Sequence, residues 1–369
     1  METRVGAFTD TYLPTINGVT YTVKSWRDKW QANGGEMPIV FPSSSQYDPE
    51  DGEFEVRSLP FPFYDGYRLG VPQLPSELAD VDIVHAHTPF GLGLAALRMV
   101  RGTDRPLVAS FHTPCGEYTD YISPFESLST RLRGVSQWYE RWFLNHADVV
   151  VAPTESAATF LREEMGIDTT IDIVPNGVDL DRFYPRESTG FRERYELPDG
   201  PLIGYTGRHG YEKRLPEIIE AAAHGSTEWT IVLGGDGPAS EEIAELADEH
   251  GIDLRMLGFL DREELPEFYS AIDVFAFPSP VETQGIVALE SIACGTPVVG
   301  VKARALIETI EDGRTGYHYE QGDPEDFATQ LQRAIDNQST LEAGCLDART
   351  ETSLEFAMEA LEDVYERVL

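Results

Sequence analysis

Short apolar runs alternate with helical patterns along the whole chain, and this alternation limits the possible folds more than any other feature of the sequence. The runs show no strict alternation of polar and apolar residues, so each predicts a strand that is covered on both faces. Strands of this kind, each followed by a helix, are typical of parallel sheets in α/β proteins. The predicted strands are residues 5–8, 37–41, 82–85, 107–111 and 149–152, and then 202–205, 231–233, 254–257, 274–277 and 297–301.

A turn-rich stretch near the middle of the chain predicts a division into two domains. With 369 residues the chain is too long for one ordinary hydrophobic core and long enough for two. Residues 174–179 have the sequence VPNGVD and lie between a predicted strand and a polar segment. We therefore expect doubly wound domains over residues 1–175 and 176–352, followed by a helix over residues 353–369 that packs back on the first domain.

The charge balance argues against nucleic acid as a partner and indicates a high-salt environment. The chain has 64 acidic and 28 basic residues and a net charge of −36, which excludes a generally basic nucleic-acid-binding surface. Only four of the 28 basic residues are lysines, and the acidic residues are spread through the predicted helices. Salt at 1 M screens charges beyond roughly 3 Å. We therefore predict a protein adapted to high salt.

Cysteine usage and hydropathy predict the compartment. Cys115, Cys294 and Cys345 are an odd number of cysteines without paired spacing, which favours free thiols in a reducing compartment. No apolar stretch approaches the roughly 20 residues that a membrane-spanning helix needs. We expect a cytoplasmic protein that is soluble or bound peripherally to the membrane face.

Two glutamates near the end of one predicted strand form the most informative segment. After the strand 274–277 come a proline-rich turn, Gly285, and a helix that carries Glu290. Glu282 and Glu290 are eight residues apart, and both can face one site and accept hydrogen bonds from sugar hydroxyls. The amides of residues 284–287 can face an anion. The alternative is a capped surface helix with two solvated glutamates, which this segment alone would favour.

A glycine-rich turn with two cations follows another predicted strand. Gly204, Gly207 and Gly210 are spaced three residues apart, and Arg208 and Lys213 lie within or just beyond the turn. Arginine and lysine beside such a turn are suited to hold a diphosphate. The alternative is that both cations pair with nearby acidic residues.

Polar residues also follow the predicted strands of the first domain. Asp10 and Gly18 come after the first strand, where a turn leads into a helix; Asp10 is either an acceptor-side group or a helix N-cap. His87 and His112 follow two further strands. A lone histidine is usually structural, but the end of a parallel strand is where ligands bind.

Taken together, these segments resemble the family 4 glycosyltransferases of the GT-B fold. The resemblance covers nearly the whole chain in the expected order and includes E-x7-E at Glu282 and Glu290, GR-x4-K at Arg208 and Lys213, CGTPVV at 294–299, the turn at 234–238 and NGVD at 176–179. It implies two Rossmann-like domains that face each other across a cleft, with the acceptor on the first and the nucleotide sugar on the second. It also implies retaining transfer of a hexose from a UDP- or GDP-sugar substrate without a metal or other cofactor.

The resemblance assigns roles to individual residues. It implies that Glu290 binds the ribose, Glu282 the donor hexose, and the two cations the diphosphate, whose leaving charge they stabilise. Many members have two adjacent glycines where this chain has only Gly18. The residues implied for catalysis are His112, Glu282, Arg208 and Lys213; those implied for donor binding are Gly18, Arg208, Lys213, Gly237, Glu282, Thr283, Gln284, Gly285, Ile286, Val287 and Glu290; those implied on the acceptor side are Asp10, His87 and Tyr118.

Two segments resemble a subset of the family that acts on lipids. Residues 9–19 and 112–122 are similar to monoglucosyl-diacylglycerol synthases and sulfoquinovosyl-lipid synthases. Residues 128–146 also combine an apolar stripe at helical spacing with arginines, which suits a membrane interface. We expect an acceptor lipid and peripheral membrane contact through 128–146; the alternative is that the stripe packs only on the sheet.

Other functions are compatible with parts of the pattern. The acceptor could instead be a soluble sugar, a sugar phosphate or a polyprenyl-linked glycan. A nucleotide-sugar 2-epimerase of the same fold and a non-catalytic binding module are further alternatives. Asp80-Val81-Asp82 and Asp179-Leu180-Asp181 match a DxD metal motif, but we expect neither to bind metal, because one begins a strand and the other follows the domain boundary.

Overall fold

The computed structural model describes residues 3–60, 68–114, 126–226 and 228–369. It divides the chain into two compact units. The first comprises Met1–Asn176 together with Ala357–Leu369, and the second comprises Gly177–Phe356.

The described part of the first unit contains a sheet of parallel strands and a small antiparallel hairpin. Its strands are β1 (Val5–Phe8), β2 (Ile39–Pro42), β3 (Glu53–Val56), β4 (Ser58–Pro60), β5 (Arg68–Gly70), β6 (Ile83–Ala86), β7 (Leu107–Ser110), β8 (Val149–Ala152) and β9 (Thr170–Ile173). The sheet order in these residues is β3-β2-β1-β6-β7-β8-β9, and β4 pairs with β5. The strand order reverses between β1 and β6, which is the kind of switch point where doubly wound folds bind ligands.

Helices connect these strands. They are α1 (Gly18–Ala32), α2 (Gly91–Val100), α3 (Glu126–Leu144) and α4 (Glu155–Thr159), with a short 3-10 helix at Ser76–Leu78 and a π-helical segment at Phe160–Glu164. Helix α1 begins after Asn17, whose side-chain oxygen accepts a 2.9 Å hydrogen bond from the amide of Thr20. This is the usual way in which an Asn N-cap satisfies a free helix amide. Gly18 is consequently the first residue of the helix and does not lie in the preceding turn.

The second unit repeats the plan. Its strands are β10 (Leu202–Thr206), β11 (Thr230–Gly234), β12 (Asp253–Gly258), β13 (Val274–Phe277), β14 (Val298–Val301) and β15 (Gly316–Tyr319). Among the described residues they form a parallel sheet in the order β12-β11-β10-β13-β14-β15, with the switch point between β10 and β13. Its helices are α5 (Thr189–Arg194), α6 (Pro216–His224), α7 (Ser240–His250), α8 (Leu265–Ala271), α9 (Ile286–Ala293), α10 (Leu306–Thr309), α11 (Pro324–Asp336), α12 (Gln338–Ala348) and α13 (Leu354–Val368).

The prediction of an α/β fold with two doubly wound sheets is confirmed. All predicted strands are present, with ends that shift by two residues at most. Strand β9 is the strand expected directly before residue 174, whereas β3, β4, β5 and β15 were not predicted, because each is three or four residues long and carries polar side chains. Each sheet is covered by its helices, and the central strands are buried on both faces.

Helix α13 begins in the second unit, but its residues from Ala357 onwards group with the first. The Tyr365 ring meets the Trp30 ring edge to face at 5.2 Å, and its hydroxyl lies 2.6 Å from Nδ1 of His85. Arg367 pairs with Asp172 at the end of the sheet. The last helix therefore contributes a buried aromatic side chain to the core of the first unit.

Candidate active site

Glycines bring the loops after β10 and β11 into close contact in the second unit. Gly235 has a φ of +108°, and a Cβ on it would lie 1.9 Å from the carbonyl oxygen of Gly207. Gly237 faces His209 in the same way, with a φ of +159°. Only glycine allows this approach. His209 is buried and its Nδ1 lies 2.8 Å from the hydroxyl of Ser240, which begins helix α7.

Both predicted diphosphate-binding cations are paired with carboxylates at this edge of the sheet. The Nζ of Lys213 lies 2.6 Å from Oε1 of Glu282, and Arg208 pairs with Glu212. Burial raises the pKa of the Tyr205 hydroxyl well above its usual value, and the carboxylates of Glu282 and Glu212 raise it further. The two ion pairs and the Tyr205 hydroxyl therefore form one polar cluster beside the switch point. Arg208 and Lys213 therefore pair with nearby acidic residues, as the alternative interpretation expects. One of these acidic residues, Glu282, is also the predicted hexose-binding residue.

The predicted anion-facing loop ends at the start of helix α9. Gly285 is the N-cap with a φ of +80°, and a Cβ there would meet the Phe277 ring at 2.7 Å. Because the N-cap is a glycine, it has no side chain to cap the helix, and the amides of Ile286 and Val287 at the first turn have no acceptor within the helix. The backbone oxygen of Gln284 accepts a 2.7 Å hydrogen bond from the Thr309 hydroxyl, which holds the loop that also carries Thr283.

Glu290 lies in a different setting from Glu282. It is 2% exposed, its Oε2 accepts a 2.9 Å hydrogen bond from the Tyr269 hydroxyl, and its Oε1 lies 3.1 Å from Nη1 of Arg262. Burial raises the pKa of the Glu290 carboxyl, while Arg262 and Tyr269 act in the opposite direction. The two glutamates of the E-x7-E motif therefore have different partners: Glu282 pairs with Lys213, and Glu290 contacts Tyr269 and Arg262.

Sequence reasoning missed both partners of Glu290. Arg262 follows strand β12 by four residues and stacks over the Phe183 ring at 5.1 Å. The sequence signal that could have identified Arg262 was a cation shortly after a predicted strand, in a chain with few cations. Tyr269 lies within helix α8 and is fully buried, so no sequence pattern distinguished it from a core residue.

In the first unit, a pocket opens at the carboxyl ends of β1, β6 and β7. The predicted residues His87 and His112 both line it, and Glu140, Asn17 and Ser110 were not predicted there. The full lining is Thr11, Asn17, Val19, His87, Thr88, Pro89, Phe90, Ser110, Phe111, His112, Thr113, Glu140, Phe143 and Leu144.

Three histidines meet beside this pocket. The rings of His85 and His87 stack at 4.1 Å, and Nδ1 of His87 lies 3.2 Å from Nε2 of His112. Burial lowers the pKa of His85 to about 3 and that of His87 well below its usual value. Burial also lowers the pKa of His112, although this ring is only half-buried. The three rings are therefore neutral at physiological pH, and the Trp26 ring lies within 6.4 Å of each.

Asp10 acts as a cap, but for a different helix from the one that follows it in sequence. Its carboxylate accepts 2.9 Å hydrogen bonds from the amides of Gly70 and Leu92 and from the Thr88 hydroxyl. Leu92 is in the first turn of α2. Burial raises the Asp10 pKa to about 6, and these donors lower it. Of the two roles considered for Asp10, the structure shows the capping role, and the acceptor-side role stays a prediction.

Tyr118 lies outside the described residues. Arg4 pairs with Asp80, and its backbone amide donates a 2.9 Å hydrogen bond to Asp82. Within the described ranges, no group of three or more His, Cys, Asp or Glu side chains is arranged to hold a metal ion.

Helix α3 does not bury the whole predicted stripe. Glu140, Phe143 and Leu144 are buried, but Val135 and Trp138 are 65% and 66% exposed. Since Val135 and Trp138 are three residues apart, they share one face of the helix. In the part of the chain that the structure describes, no helix is long and apolar enough to span a membrane.

Comparison with known families covers both units. The family described as Glycosyltransferase Family 4 matches residues 16–182, and the family described as Glycosyl transferases group 1 matches residues 188–345. D-inositol 3-phosphate glycosyltransferase from Xylanimonas cellulosilytica is 32% identical over 301 residues, which are 77% of this chain and 71% of that protein. The chain belongs to glycosyltransferase family 4. This confirms the resemblance drawn from the motifs.

Relatives of this family 4 glycosyltransferase include enzymes of the predicted subset. Sulfoquinovosyl transferase SQD2 from Arabidopsis thaliana is 31% identical over 308 residues, which are 80% of this chain but only 59% of that protein's length. Alpha-monoglucosyldiacylglycerol synthase from Streptococcus pneumoniae is 27% identical over 334 residues, which are 86% of this chain and 75% of that protein.

Solved structures show the same GT-B fold for this glycosyltransferase. Sucrose-phosphate synthase from Thermosynechococcus elongatus has a TM-score of 0.80 and 20% identity, and the alignment covers 99% of both chains. Anabaena HepE in complex with UDP has a TM-score of 0.79 and 16% identity, with 99% of this chain and 100% of that chain covered. At these identities the likeness establishes the fold alone.

Proposed function

We propose that this family 4 glycosyltransferase is a metal-independent, retaining hexosyltransferase that uses a nucleotide sugar as donor and a membrane lipid hydroxyl as acceptor. The observation that carries the proposal is the 2.6 Å contact between Lys213 and Glu282 at the switch point of the second unit. It brings a cation suited to a diphosphate together with a carboxylate suited to sugar hydroxyls.

In the proposed reaction, the bond between the anomeric carbon and the diphosphate oxygen breaks while the acceptor oxygen forms a new bond to that carbon. The electron pair of the broken bond leaves with the diphosphate, where Arg208, Lys213 and the amides at the start of helix α9 stabilise it. The acceptor hydroxyl gives up its proton to the departing phosphate oxygen. In this scheme Glu282 binds the hexose and Glu290 the ribose, with Arg262 and Tyr269 holding the Glu290 carboxylate in place.

Support for retention comes from the product name of a relative. The pneumococcal relative is named for an α-glucosyl product. Because ordinary nucleotide hexoses carry the nucleotide in the α configuration, an α product corresponds to retention. Attack of the acceptor on the same face of the sugar would give this outcome.

Support for a lipid acceptor comes from two independent features. One relative is a synthase of a diacylglycerol glycolipid. The exposed Trp138 and Val135 of helix α3 form an apolar face in the unit that also contains the pocket at β1, β6 and β7. Such a face, with tryptophan at its surface, is suited to a membrane interface. The inositol phosphate relative favours a soluble sugar phosphate as the second candidate acceptor.

The reaction is tested with radiolabelled UDP-glucose, UDP-galactose and GDP-mannose in 2 M KCl with EDTA, using either diacylglycerol vesicles or inositol phosphate as acceptor. Label that enters the chloroform phase supports the lipid proposal and identifies the donor. Label on inositol phosphate would instead support a soluble sugar phosphate as the acceptor. Loss of transfer in EDTA, restored by Mg²⁺, overturns metal independence. The anomeric coupling constant of the product, measured by NMR, tests retention.

Membrane contact is tested by vesicle flotation in the same salt. We expect Trp138→Ser to reduce the fraction bound to vesicles, whereas Phe356→Ser, which removes another exposed aromatic side chain, leaves it unchanged. Equal binding of wild type and the Trp138 variant would overturn the proposed surface but not the proposed transfer reaction.

A further inference from the structure

His209 links two loops at the carboxyl edge of the second sheet. It lies in the loop after strand β10, directly beside Arg208, and is completely buried. Its backbone amide donates a 2.9 Å hydrogen bond to the carbonyl of Asp236, and its carbonyl accepts one of 2.9 Å from the amide of Ala239. Both partners lie between strand β11 and helix α7. The backbone of His209 therefore binds the first loop to the second.

The His209 side chain adds two contacts between the same segments. Nε2 lies 3.3 Å from the carbonyl oxygen of Gly234, the last residue of β11, and Nδ1 lies 2.8 Å from the hydroxyl of Ser240, the first residue of α7. A carbonyl oxygen can only accept a hydrogen bond, so Nε2 carries a proton. Burial lowers the pKa of His209 and favours the neutral ring. Nδ1 is then an acceptor for the Ser240 hydroxyl, which can donate to it or to Oδ1 of Asp236 at 2.9 Å.

Arg208 is held between these contacts. On one side of it, the amide of Gly207 donates a 3.1 Å hydrogen bond to the carbonyl of Gly234. On the other side are the backbone and side-chain contacts of His209. The backbone of Arg208 is thus fixed against the end of strand β11 from both directions. Since the guanidinium can reach only as far as its Cα position allows, these contacts restrict where Arg208 places its charge.

We infer that His209 is a positioning residue that holds Arg208 for the diphosphate of the donor. This inference rests on the proposed function, in which Arg208 and Lys213 bind the diphosphate. Every residue that it uses belongs to the second unit. Arginine binds phosphate through a fork of fixed geometry, so a small displacement of its backbone weakens the contact. His209 acts through Arg208, because its own ring is buried and both ring nitrogens face protein atoms.

The test compares nucleoside diphosphates with monophosphates by calorimetric titration of the full-length protein. The ratio of the affinity for UDP to that for UMP, or of GDP to GMP, reports the contact with the second phosphate. General destabilisation would lower both affinities together. We expect His209→Leu to lower this ratio about 3–10-fold, the change that corresponds to the net free energy of one hydrogen bond. An unchanged ratio in His209→Leu overturns the inference.

Two further substitutions separate hydrogen bonding from packing. In His209→Asn a polar atom takes the place of Nδ1 and can contact Ser240, and in His209→Gln an amide nitrogen can replace Nε2 as donor to Gly234. Leucine fills a similar volume but can do neither. We expect at least one of the two amide variants to keep a ratio closer to that of the wild type. Equal losses in all three variants, at equal thermal stability, would show that His209 acts through packing alone.

Thr230→Val is the matched control. Thr230 is buried at the amino end of strand β11, and its hydroxyl donates a 3.0 Å hydrogen bond to Asp253. The substitution removes a buried hydrogen bond from the strand that ends at Gly234, but at the opposite edge of the sheet. We expect a lower thermal stability and an unchanged affinity ratio. A ratio that falls as far as in His209→Leu would contradict a specific role for His209.

Arg208→Met distinguishes failure of this inference from failure of the proposed function. We expect it to lower the affinity ratio at least as far as His209→Leu does. If Arg208→Met lowers the ratio and His209→Leu does not, only the inference about His209 is wrong. If neither variant lowers it, Arg208 does not bind the diphosphate, and the proposed donor site is wrong as well.

Discussion

Lys213 and Glu282 are separated by 69 residues in sequence, yet the Nζ of one lies 2.6 Å from Oε1 of the other. Lys213 follows strand β10 and Glu282 follows strand β13, and these two strands are neighbours at the switch point of the second sheet. The sheet order therefore creates the contact. A diphosphate that binds there would compete with Glu282 for the lysine, which would release the carboxylate for sugar hydroxyls.

Substitution of Lys213 tests this arrangement. We expect Lys213→Met to lower kcat for hexose transfer by about 10²–10³-fold, the usual effect of removing one group that stabilises the leaving charge. Lys302→Met is the matched control, because Lys302 also pairs with a glutamate at 2.7 Å but on an exposed surface. Steady-state rates at saturating donor make the comparison. Equal rates for both variants would contradict the role of Lys213.

The Tyr269 hydroxyl is expected to matter for both stability and nucleotide binding. Its loss in Tyr269→Phe leaves the buried Glu290 carboxylate with one donor fewer, which costs about 1.5–3 kcal/mol of unfolding free energy. Tyr211→Phe is the control, since its exposed hydroxyl donates to a backbone oxygen at 3.1 Å. Urea unfolding and calorimetric titration with UDP and GDP measure the two effects.

The Glu290 carboxylate is tested by the same titration. We expect Glu290→Ala to weaken nucleotide binding. An unaltered affinity for UDP and GDP would exclude Glu290 from the ribose site.

Alanine substitutions at Gly285 and Gly313 distinguish the effect of steric crowding from the effect of backbone strain. Their φ values are +80° and +78°, but a Cβ would meet the Phe277 ring only at Gly285, whereas no atom lies within 4 Å at Gly313. An alanine in this conformation costs about 1–2 kcal/mol at either position. We expect Gly285→Ala to be more destabilising than Gly313→Ala and to slow transfer, as measured by chemical unfolding and activity. Equal effects would show that the start of helix α9 tolerates a side chain.

The buried histidines predict acid sensitivity. Because burial lowers the folded-state pKa of His85 to about 3, the neutral ring stabilises the fold fully above the unfolded pKa near 6.5. That stability is lost as the pH falls towards the folded value. Between pH 7.5 and pH 5, this one residue should remove about 2 kcal/mol of unfolding free energy.

A variant isolates the contribution of His85. We expect His85→Gln to be less stable than wild type at pH 7.5 but to lose less stability on acidification, as measured by urea unfolding at both pH values. His250→Gln, at an exposed position, is the control. Asp10 acts in the opposite direction, since its raised pKa of about 6 favours folding at lower pH; it is unchanged in all three proteins.

Helix α7 offers a local test of salt adaptation. Glu241, Glu245 and Glu249 are spaced four residues apart on its surface, so like charges repel along one face. We expect Glu245→Gln to raise the unfolding free energy by about 0.5–1 kcal/mol in dilute buffer, and this gain to vanish in 2 M KCl. We also expect KCl to raise the stability of the wild type. If the wild type is as stable and active in dilute buffer as in 2 M KCl, the prediction of salt adaptation is wrong.

Part of the candidate site follows from local sequence. The glycine turns, the cations and the E-x7-E spacing are visible in the chain, because they sit directly after apolar runs that predict buried strands. The partners of these groups were not visible. Arg262 and Tyr269 reach Glu290 from another loop and another helix, and Asp10 caps α2, which begins more than 80 residues after it.

The sequence by itself determined the two α/β units, most of their strands and the family, since these depend on hydrophobic patterns and short motifs that act locally. Tertiary structure alone decided that Lys213 meets Glu282, that Glu290 is buried against Arg262 and Tyr269, and that His87 meets His112. These contacts depend on the order of strands in each sheet and on which side chains become buried together. No local pattern contains that information, because residues far apart in sequence must first be brought together before hydrogen bonding and desolvation can act on them.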